Sequence, residues 1–322
     1  MTTDEPTLPP ALDGVFGLDI LLGLLDLREV GSAHISGDDV SNPLGGTGDS
    51  RPTVFVGQSH KQPHGRVFGG QVLAQSLMAA GRTLDLAPGA PPRPAHSLHA
   101  YFMRPGDDTQ PIRFSVERMR DGRSFSTRRV HALQAGLPIL SLSASFQERA
   151  GGVDHQETMP DVPGPEGIPS LAESLSSAGH GSAEDVRRRP VELRHVEGNL
   201  LFGPRPEFRE PHQHVWMRAV DALPDDQLVH ACVLAYASDY SLLESAMRAH
   251  DIGYMDPRAR IASLDHAMWF HRPVRMDEWV LYDQWSPSAQ GGRALGLGNV
   301  FARDGRLVAT CAQEGMVRVK ES

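Results

Sequence analysis

The sequence predicts an α+β fold with two helix-on-antiparallel-sheet modules in one chain. Three observations support this prediction. A helical pattern followed by a run of strand-like segments occurs twice in the 322 residues. The segment LSLSASF (140–146) alternates strictly between apolar residues and serines, as a half-buried strand does. YFMRP (101–105) and WFHRP (269–273) share a core 168 residues apart, which indicates two related halves.

Composition is typical of a globular protein. The chain is 40% hydrophobic and 22% charged, and its net charge of −9 creates no general attraction to nucleic acid or to an anionic membrane. Cys232 and Cys311 belong to no C-x-x-C or Cys/His pattern, so we expect both to be reduced core residues of a cytoplasmic protein. The N-terminus, MTTDEPTLPP, is acidic and proline-rich, which is not typical of a signal peptide.

The first module is predicted over residues 14–148, after a disordered leader at 1–13. GLDILLGLLDL (17–27) has leucines at helical spacing and predicts a short amphipathic helix. SNPLGGTGDSRP (41–52) is turn-rich and predicts a mobile loop. A longer helix is predicted over 70–84. The strands that follow are predicted at 97–103, 111–119, 124–133 and 140–146.

A segment rich in Gly, Pro and Ser, residues 149–190, predicts a linker to the second module at 191–322. The order of elements then recurs, with a strand at 214–220 and one helix over 225–249. The later strands are predicted at 263–271, 278–285, 293–302 and 306–319. Because unpaired strand edges promote aggregation, we expect the two modules to pair edge strands and share a continuous sheet.

A polar set in the second half is the main candidate for chemistry. The 168-residue spacing pairs the two helices so that Asp239 corresponds to Gln71, at the same point of each helix. Ser263 and Gln313 have counterparts at Ala95 and Ser145. At these three positions, only the second half has a carboxylate, a hydroxyl and an amide, as expected when one copy of a duplication keeps the site. Each residue alone also fits a structural role: a solvated helix face, a strand-start hydroxyl and an outward strand residue.

Several familiar catalytic patterns are absent from the sequence. It contains no G-x-S-x-G elbow and no P-loop, and GLGNVF (296–301) lacks the third glycine of a dinucleotide loop. We therefore expect no cofactor. His212 and His214 form an H-x-H pair on a predicted strand, and we interpret them as a surface pair rather than as metal ligands. The arginine-rich stretch RMRDGRSFSTRR (118–129) predicts a solvated hairpin surface or a local site for an anion.

Separate segments, in order along the chain, resemble the acyl-CoA thioesterase II family, and the resemblance extends from about residue 15 to 319. It implies a double-hotdog fold, hydrolysis of fatty acyl-CoA to free acid and CoA, and assembly into a homodimer or homotetramer. The segments that carry it are VFGGQVLAQSL (67–77), HSLHAYFMRPGD (96–107), RDGRSFSTRRVHALQAG (120–136), ASDYSLL (237–243), IASLDHAMWFHRP (261–273) and ATCAQEG (309–315).

The resemblance also implies catalytic residues. The family's Asp, in its A-S-D motif, falls on Asp239, and its Gln, in Q-E-G, falls on Gln313. Its Thr, in I-A-T, falls on Ser263, which keeps the hydroxyl but loses the methyl group that restricts the rotamer. We expect Asp239 to take a proton from an attacking water while Ser263 and Gln313 fix the position of that water.

Substrate contacts are expected at two places. Gly69 and Gly70, at the start of the first helix, can bring backbone N–H groups close to a developing oxyanion. Arg123 and Arg128 are candidates to bind the phosphates of CoA. The nearby histidines, His96 and His99, are interpreted as structural.

The sequence leaves two rival functions open. A hotdog enoyl-CoA hydratase usually needs an Asp–His pair, and no histidine lies one turn after Asp239. A non-catalytic acyl-CoA-binding module is the other alternative, and release of thiol from acyl-CoA distinguishes it from a thioesterase.

Overall fold

The computed structural model describes residue 12, residue 203 and the ranges 17–32, 51–62, 64–177, 189–201 and 206–320. The expected leader at 1–13 and loop at 41–52 lie almost entirely outside these residues. The helices are α1 (Leu18–Leu25), α2 (Gly69–Arg82), α3 (Leu171–Ser177), α4 (Gln227–Ser238) and α5 (Glu244–Ala249). The strands are β1 (Arg28–Ser32), β2 (Thr53–Gly57), β3 (Ala95–Phe102), β4 (Ile112–Asp121), β5 (Phe125–Gln134), β6 (Leu137–Gln147), β7 (Val191–His195), β8 (His212–Ala219), β9 (Ala259–Ser263), β10 (Asp265–Phe270), β11 (Val280–Gln290), β12 (Arg293–Ala302) and β13 (Leu307–Val319).

In the described part of the chain, the 13 strands form a single sheet with antiparallel pairing throughout. Its order is β1-β2-β4-β5-β6-β3 in the first half and β10-β13-β12-β11-β8-β7 in the second, while β9 pairs with β13. The halves join where β3 pairs with β10, from Tyr101 opposite Asp265 to Ser97 opposite Trp269. The predicted α+β architecture with a continuous sheet is therefore confirmed.

The helix predicted over 225–249 is wrong as a single element, because it is two helices separated by a turn. The carboxylate of Asp226 accepts a hydrogen bond from Leu228 N at the start of α4, and Asp239 is the C-cap at its end. The predicted pairing of Asp239 with Gln71 is also wrong, because Gln71 lies in the first turn of α2. The second half contains an additional short helix, α5, before its next strand, and this insertion breaks the constant spacing.

Helices α2 and α4 pack against each other beside the sheet, and both are buried along most of their length. The close approach depends on Gly70, since a Cβ atom there would overlap the carbonyl oxygen of Tyr236. This contact brings the N-terminus of α2 to the C-terminus of α4. Helix α1 adds buried leucines to the same core, and both cysteines are buried and unpaired.

Residues 159–168 of the linker pack on the opposite face of the sheet from the long helices. Trp216 donates a hydrogen bond from Nε1 to the carbonyl of Pro163 (2.9 Å). Ile168 lies in a small apolar cluster with Trp216, Trp279 and Leu281, separate from the main core. Among the described residues, we find no helix with the length and apolar character required to cross a membrane.

Candidate active site

Asp239 lies at the junction of two helix termini. Its position at the C-terminus of α4 is electrostatically unfavourable for a carboxylate, because the helix dipole presents partial negative charge there. The N-terminus of α2 compensates, since the backbone N–H of Gly70 forms a hydrogen bond with the Asp239 carboxylate. The side chain is largely enclosed by protein and keeps part of its surface on a cavity.

Two polar side chains from the sheet meet one oxygen of this carboxylate. Gln313, on β13, donates from Nε2 to Asp239 Oδ1 (2.6 Å) and to Ser263 Oγ (2.6 Å). Ser263, at the end of β9, donates from Oγ to the same Oδ1 (3.2 Å). The three predicted catalytic residues therefore form one hydrogen-bonded cluster. Their bonds fix Oδ1, so Oδ2 is the oxygen with hydrogen-bonding capacity to spare.

The environment of Asp239 adjusts its acidity. Burial raises the pKa of the carboxyl from 3.8 to about 6, against the opposing effect of the hydrogen bonds from Gln313, Ser263 and Gly70. A carboxylate with this pKa is still ionised at neutral pH, and it is a stronger base than an exposed aspartate. General-base catalysis favours a pKa near the working pH.

Gly69, the first residue of α2, leaves room for the carboxylate. A Cβ atom at this position would lie 2.6 Å from Asp239 Oδ2 and 3.0 Å from Cε1 of Phe102. Any larger residue would therefore displace this carboxylate oxygen or the ring of Phe102. The predicted Gly69-Gly70 pair lies beside Asp239, at the start of a helix of 14 residues.

A cavity of about 770 Å³ opens beside the cluster and has both apolar and basic walls. Asp239, Ser263 and Gly69 all contribute to its lining. Its large apolar lining residues include Phe68, Phe102, Ile139, Leu140, Leu243 and Ile261. Its basic lining residues are His64, Arg66 and Arg104.

Comparison with known proteins agrees with this arrangement. Residues 58–147 match the family model of the acyl-CoA thioesterase N-terminal domain, and residues 185–316 match that of acyl-CoA thioesterase. Acyl-CoA thioesterase 2 of Haemophilus influenzae is 37% identical over 273 residues, which cover 83% of this chain and 93% of that protein. The chain belongs to the acyl-CoA thioesterase family.

Solved structures agree with the fold of this thioesterase. The acyl-CoA thioesterase II TesB2 of Mycobacterium marinum is 40% identical with a TM-score of 0.70, covering 94% of this chain and 98% of that one. A protein with hot dog fold from Alicyclobacillus acidocaldarius has a TM-score of 0.67 at 20% identity, covering 83% of this chain and 94% of that one. The predicted double-hotdog fold is confirmed.

The predicted phosphate-binding arginines of the thioesterase lie away from this cavity, so the structure corrects that assignment. The guanidinium of Arg128 is fully buried, where it donates to Thr83 Oγ1 (2.9 Å) and to Asp121 Oδ1 (2.8 Å). Arg123 is exposed at the β4–β5 hairpin and does not line the cavity. Sequence spacing could not reveal this, because Arg128 alternates onto the buried face of β5 in a stretch with arginines on both faces.

Neither histidine interpreted as structural lines the cavity. His96 Nε2 pairs with Ser145 Oγ (2.8 Å), so His96 links β3 to β6. His99 is exposed and contacts the ring of Trp269 edge-on, with 5.3 Å between ring centroids.

A buried histidine behind the site was not predicted. His266 is fully buried on β10, and its Nε2 pairs with Ser238 Oγ (2.9 Å), one residue before Asp239. Burial lowers the pKa of His266 to about 4, and the nearby Gln313 side chain opposes this effect only in part, so the ring is neutral at neutral pH. The signal in the sequence is a histidine at a core-facing position of the alternating strand DHAMWF.

Buried amides hold the turn that follows Asp239. Gln284, on β11, donates from Nε2 to Ser241 Oγ (2.8 Å). Gln213, on β8, donates from Nε2 to the Glu244 carboxylate (3.0 Å). These strands therefore fix the end of α4 and the start of α5, and with them the position of the Asp239 carboxylate.

Among the residues that the structure describes, the opposite ends of the two long helices carry no equivalent cluster. When the helices are aligned by their first residues, Asp239 corresponds to Gly81. A Cβ atom on Gly81 would lie 2.5 Å from Cδ2 of Leu228, so an apolar side chain fills this end. With Gly81 rather than Gln71 as the counterpart of Asp239, the first half still has no carboxylate at this position, so the two halves remain asymmetric.

Proposed function

We propose that the enzyme hydrolyses fatty acyl-CoA to free acid and CoA by direct attack of a water molecule that Asp239 activates. The observation that carries this proposal is the hydrogen-bonded cluster of Asp239, Ser263 and Gln313 at the wall of a cavity with apolar and basic sides. The names of its relatives, acyl-CoA thioesterase 2 and acyl-CoA thioesterase II, support the substrate class.

The proposed reaction needs no covalent enzyme intermediate. Asp239 Oδ2 accepts a hydrogen bond from water and removes its proton as the water oxygen attacks the thioester carbon. The carbon–sulfur bond of the resulting tetrahedral intermediate then breaks. The proton passes from Asp239 to the departing sulfur, which restores the carboxylate and releases CoA.

The remaining residues of the site hold geometry in this proposal. Gln313 and Ser263 fix Asp239 Oδ1, and the Ser263 hydroxyl has a further lone pair for the water. Gly69 offers its N–H at the first position of α2, where a developing oxyanion is favoured. Fixing these groups before reaction lowers the barrier, because they need no reorganisation during it.

Substrate contacts are proposed from the cavity lining. The acyl chain follows the apolar residues, of which Phe102 and Leu243 lie beside the catalytic group in the lining. The phosphates of CoA lie toward Arg66 and Arg104, since guanidinium groups pair well with phosphate oxygens.

Release of thiol from acyl-CoA of varied chain length tests the proposal. Asp239→Asn should lower kcat by about 100- to 10,000-fold, the usual contribution of a general base. Asp161→Asn is the matched control, because Asp161 is an exposed carboxylate in the linker. Equal rates for Asp239→Asn and the parent enzyme would exclude Asp239 as the base.

The enoyl-CoA hydratase alternative has its own test. In the described part of the chain, the hydrogen-bond partners of Asp239 are Gln313, Ser263 and Gly70, and no histidine is among them. Incubation with crotonyl-CoA should therefore give no 3-hydroxyacyl-CoA. Formation of that product without release of thiol would favour the hydratase.

A further inference from the structure

Three potential metal ligands converge on the face of the sheet opposite the long helices. His212 and His214 alternate onto this face of β8, and Asp283 of β11 is directly opposite His214 in the strand register. Asp283 Oδ1 lies 2.6 Å from His212 Nε2 and 3.6 Å from His214 Nε2. The ligand atoms of the three residues lie within 4.8 Å of one another.

Glu197 fixes the orientation of one of these histidines. Its carboxylate accepts hydrogen bonds from the backbone N–H of His214 (2.8 Å) and from His214 Nδ1 (2.8 Å). Because a carboxylate only accepts, Nδ1 donates in this pair, and Nε2 is the ring nitrogen that is turned toward Asp283 Oδ1.

We propose that His212, His214 and Asp283 bind one divalent transition-metal ion of the zinc class. Two imidazole nitrogens and one carboxylate oxygen suit zinc, cobalt or nickel rather than magnesium or calcium, which prefer oxygen ligands alone. In tetrahedral sites, metal–ligand bonds of about 2.0 to 2.1 Å separate the ligand atoms by about 3.3 Å. The His214–Asp283 separation of 3.6 Å is close to that value, whereas His212 Nε2 and Asp283 Oδ1, 2.6 Å apart, must separate by about 0.7 Å to share the ion.

The surroundings agree with such a site. The pair of His214 and Glu197 is the carboxylate–histidine arrangement that commonly orients metal-binding histidines. The side chains of His214 and Asp283 are 14% and 17% exposed, which fixes two ligands, while that of His212 is 45% exposed. Water can reach the fourth coordination position from the exposed side. The ion would cross-link β8 to β11 and stabilise them.

The H-x-H spacing of His212 and His214 alone predicted a surface pair rather than metal ligands. Neither Asp283 nor Glu197 is near His212 in sequence, and only the strand pairing brings them together. The site is also distinct from the catalytic cluster, because Gln213 and Gln284, the neighbours of His214 and Asp283, point to the opposite face and hold the turn after Asp239.

Calorimetric titration of the tag-free, chelator-treated enzyme with zinc tests the proposal. We expect one ion per chain. His214→Gln and Asp283→Asn should each weaken binding at least about 10-fold, and Glu197→Gln should weaken it about 10- to 100-fold, as loss of an orienting partner does. His155→Gln, which removes an exposed linker histidine, should leave the affinity unchanged. Absence of saturable binding, or equal affinity in the His214 and Asp283 variants, would overturn the proposal.

Thermal unfolding gives a second readout that does not depend on catalysis. Zinc should raise the melting temperature of the parent enzyme and of His155→Gln, because binding to the folded state alone stabilises it. The same addition should leave His212→Gln unchanged. The side chain of His212 is 45% exposed, so the His212→Gln variant should fold even if variants of the more buried ligands do not. An equal zinc-induced rise in His212→Gln would contradict the assignment.

Discussion

The electrostatics of Asp239 combine two helix termini with a buried setting. The C-terminus of α4 and the enclosure by protein disfavour its charge, while the N-terminus of α2 and the amide of Gln313 favour it. Burial is the largest of these effects, so the pKa of Asp239 rises to about 6. The carboxylate is therefore kept basic at a cost in stability, as is common at catalytic positions.

The pH dependence of the reaction follows from this pKa. Only the ionised form of Asp239 can accept a proton from water, so kcat should rise with pH through about 6 and then level off. A pH–rate profile with a saturating acyl-CoA measures this directly. A rate independent of pH between 5 and 8 would be inconsistent with Asp239 as the base.

The ionisation of Asp239 should change folding stability in the opposite direction to kcat, so that stability falls as pH rises. The carboxyl has a higher pKa in the folded state, about 6, than its ordinary 3.8, so the folded state binds the proton more tightly. Its contribution to stability is therefore present below pH 4 and is lost as pH rises through about 6. This difference corresponds to up to about 3 kcal/mol. Asp239→Asn should thus melt at a higher temperature than the parent at pH 7.5, whereas Asp161→Asn should not.

Ser263 should tolerate the residue that the family usually carries. Its hydroxyl lies between Asp239 and Gln313, and the extra methyl of threonine restricts χ1. Ser263→Thr should retain or increase kcat. Ser263→Ala should lower it by about 5-fold, the equivalent of one hydrogen bond of about 1 kcal/mol. Steady-state kinetics of both variants check this, and a fully active Ser263→Ala would remove the hydroxyl from the mechanism.

At the level of elements, the candidate catalytic residues could be named from the sequence because short motifs carry them. Asp239, Ser263 and Gln313 lie in segments that resemble the acyl-CoA thioesterase II family. The contacts among them depend on strand pairing, which the sequence suggested but did not determine. The end of α4 was not predictable, because the residues of 239–243 contain neither Gly nor Pro to mark a break. Buried amides from two distant strands stabilise that turn instead.

The prediction of strands from the sequence depended on alternation between apolar and polar residues. Strands β5 and β6 alternate between buried and more exposed residues along most of their length. The predicted ranges of β4, β5 and β6 agree with the structure within a few residues. Strand β2 was missed because its five residues are all buried, so it shows no period. Strand β1 was missed because four of its five residues are exposed.

The close contact between the start of α2 and the end of α4 gives a testable prediction. Gly69→Ala should leave the fold intact but lower kcat by about 100-fold, since a displacement of the catalytic group by about 1 Å has that effect. The new methyl group would lie 2.6 Å from Asp239 Oδ2, an oxygen that must move. Gly167→Ala is the matched control, because a Cβ atom there meets nothing within 4 Å. Full activity in Gly69→Ala would show that the carboxylate need not lie against the α2 terminus.

At the scale of the whole molecule, the junction of the two halves exposes aromatic side chains on the outer face of the sheet. Tyr101 is 67% exposed on β3, and Trp269 is 38% exposed on β10. His99 lies between them in the strand register and contacts the Trp269 ring. Contiguous exposed apolar groups on a sheet commonly mark a contact with another protein.

We expect this junction face to pair with a second copy of the chain, which accords with the homodimer or homotetramer that the family resemblance implies. Light scattering coupled to gel filtration should give at least twice the chain mass of 35.1 kDa. The double variant Tyr101→Glu with Trp269→Glu should shift the mass toward that of a single chain, because like charges would then face each other across the contact. Leu137→Glu, on another exposed apolar residue, should not do so. A parent enzyme of single-chain mass would refute the expectation, and so would a double variant that keeps the parent's mass.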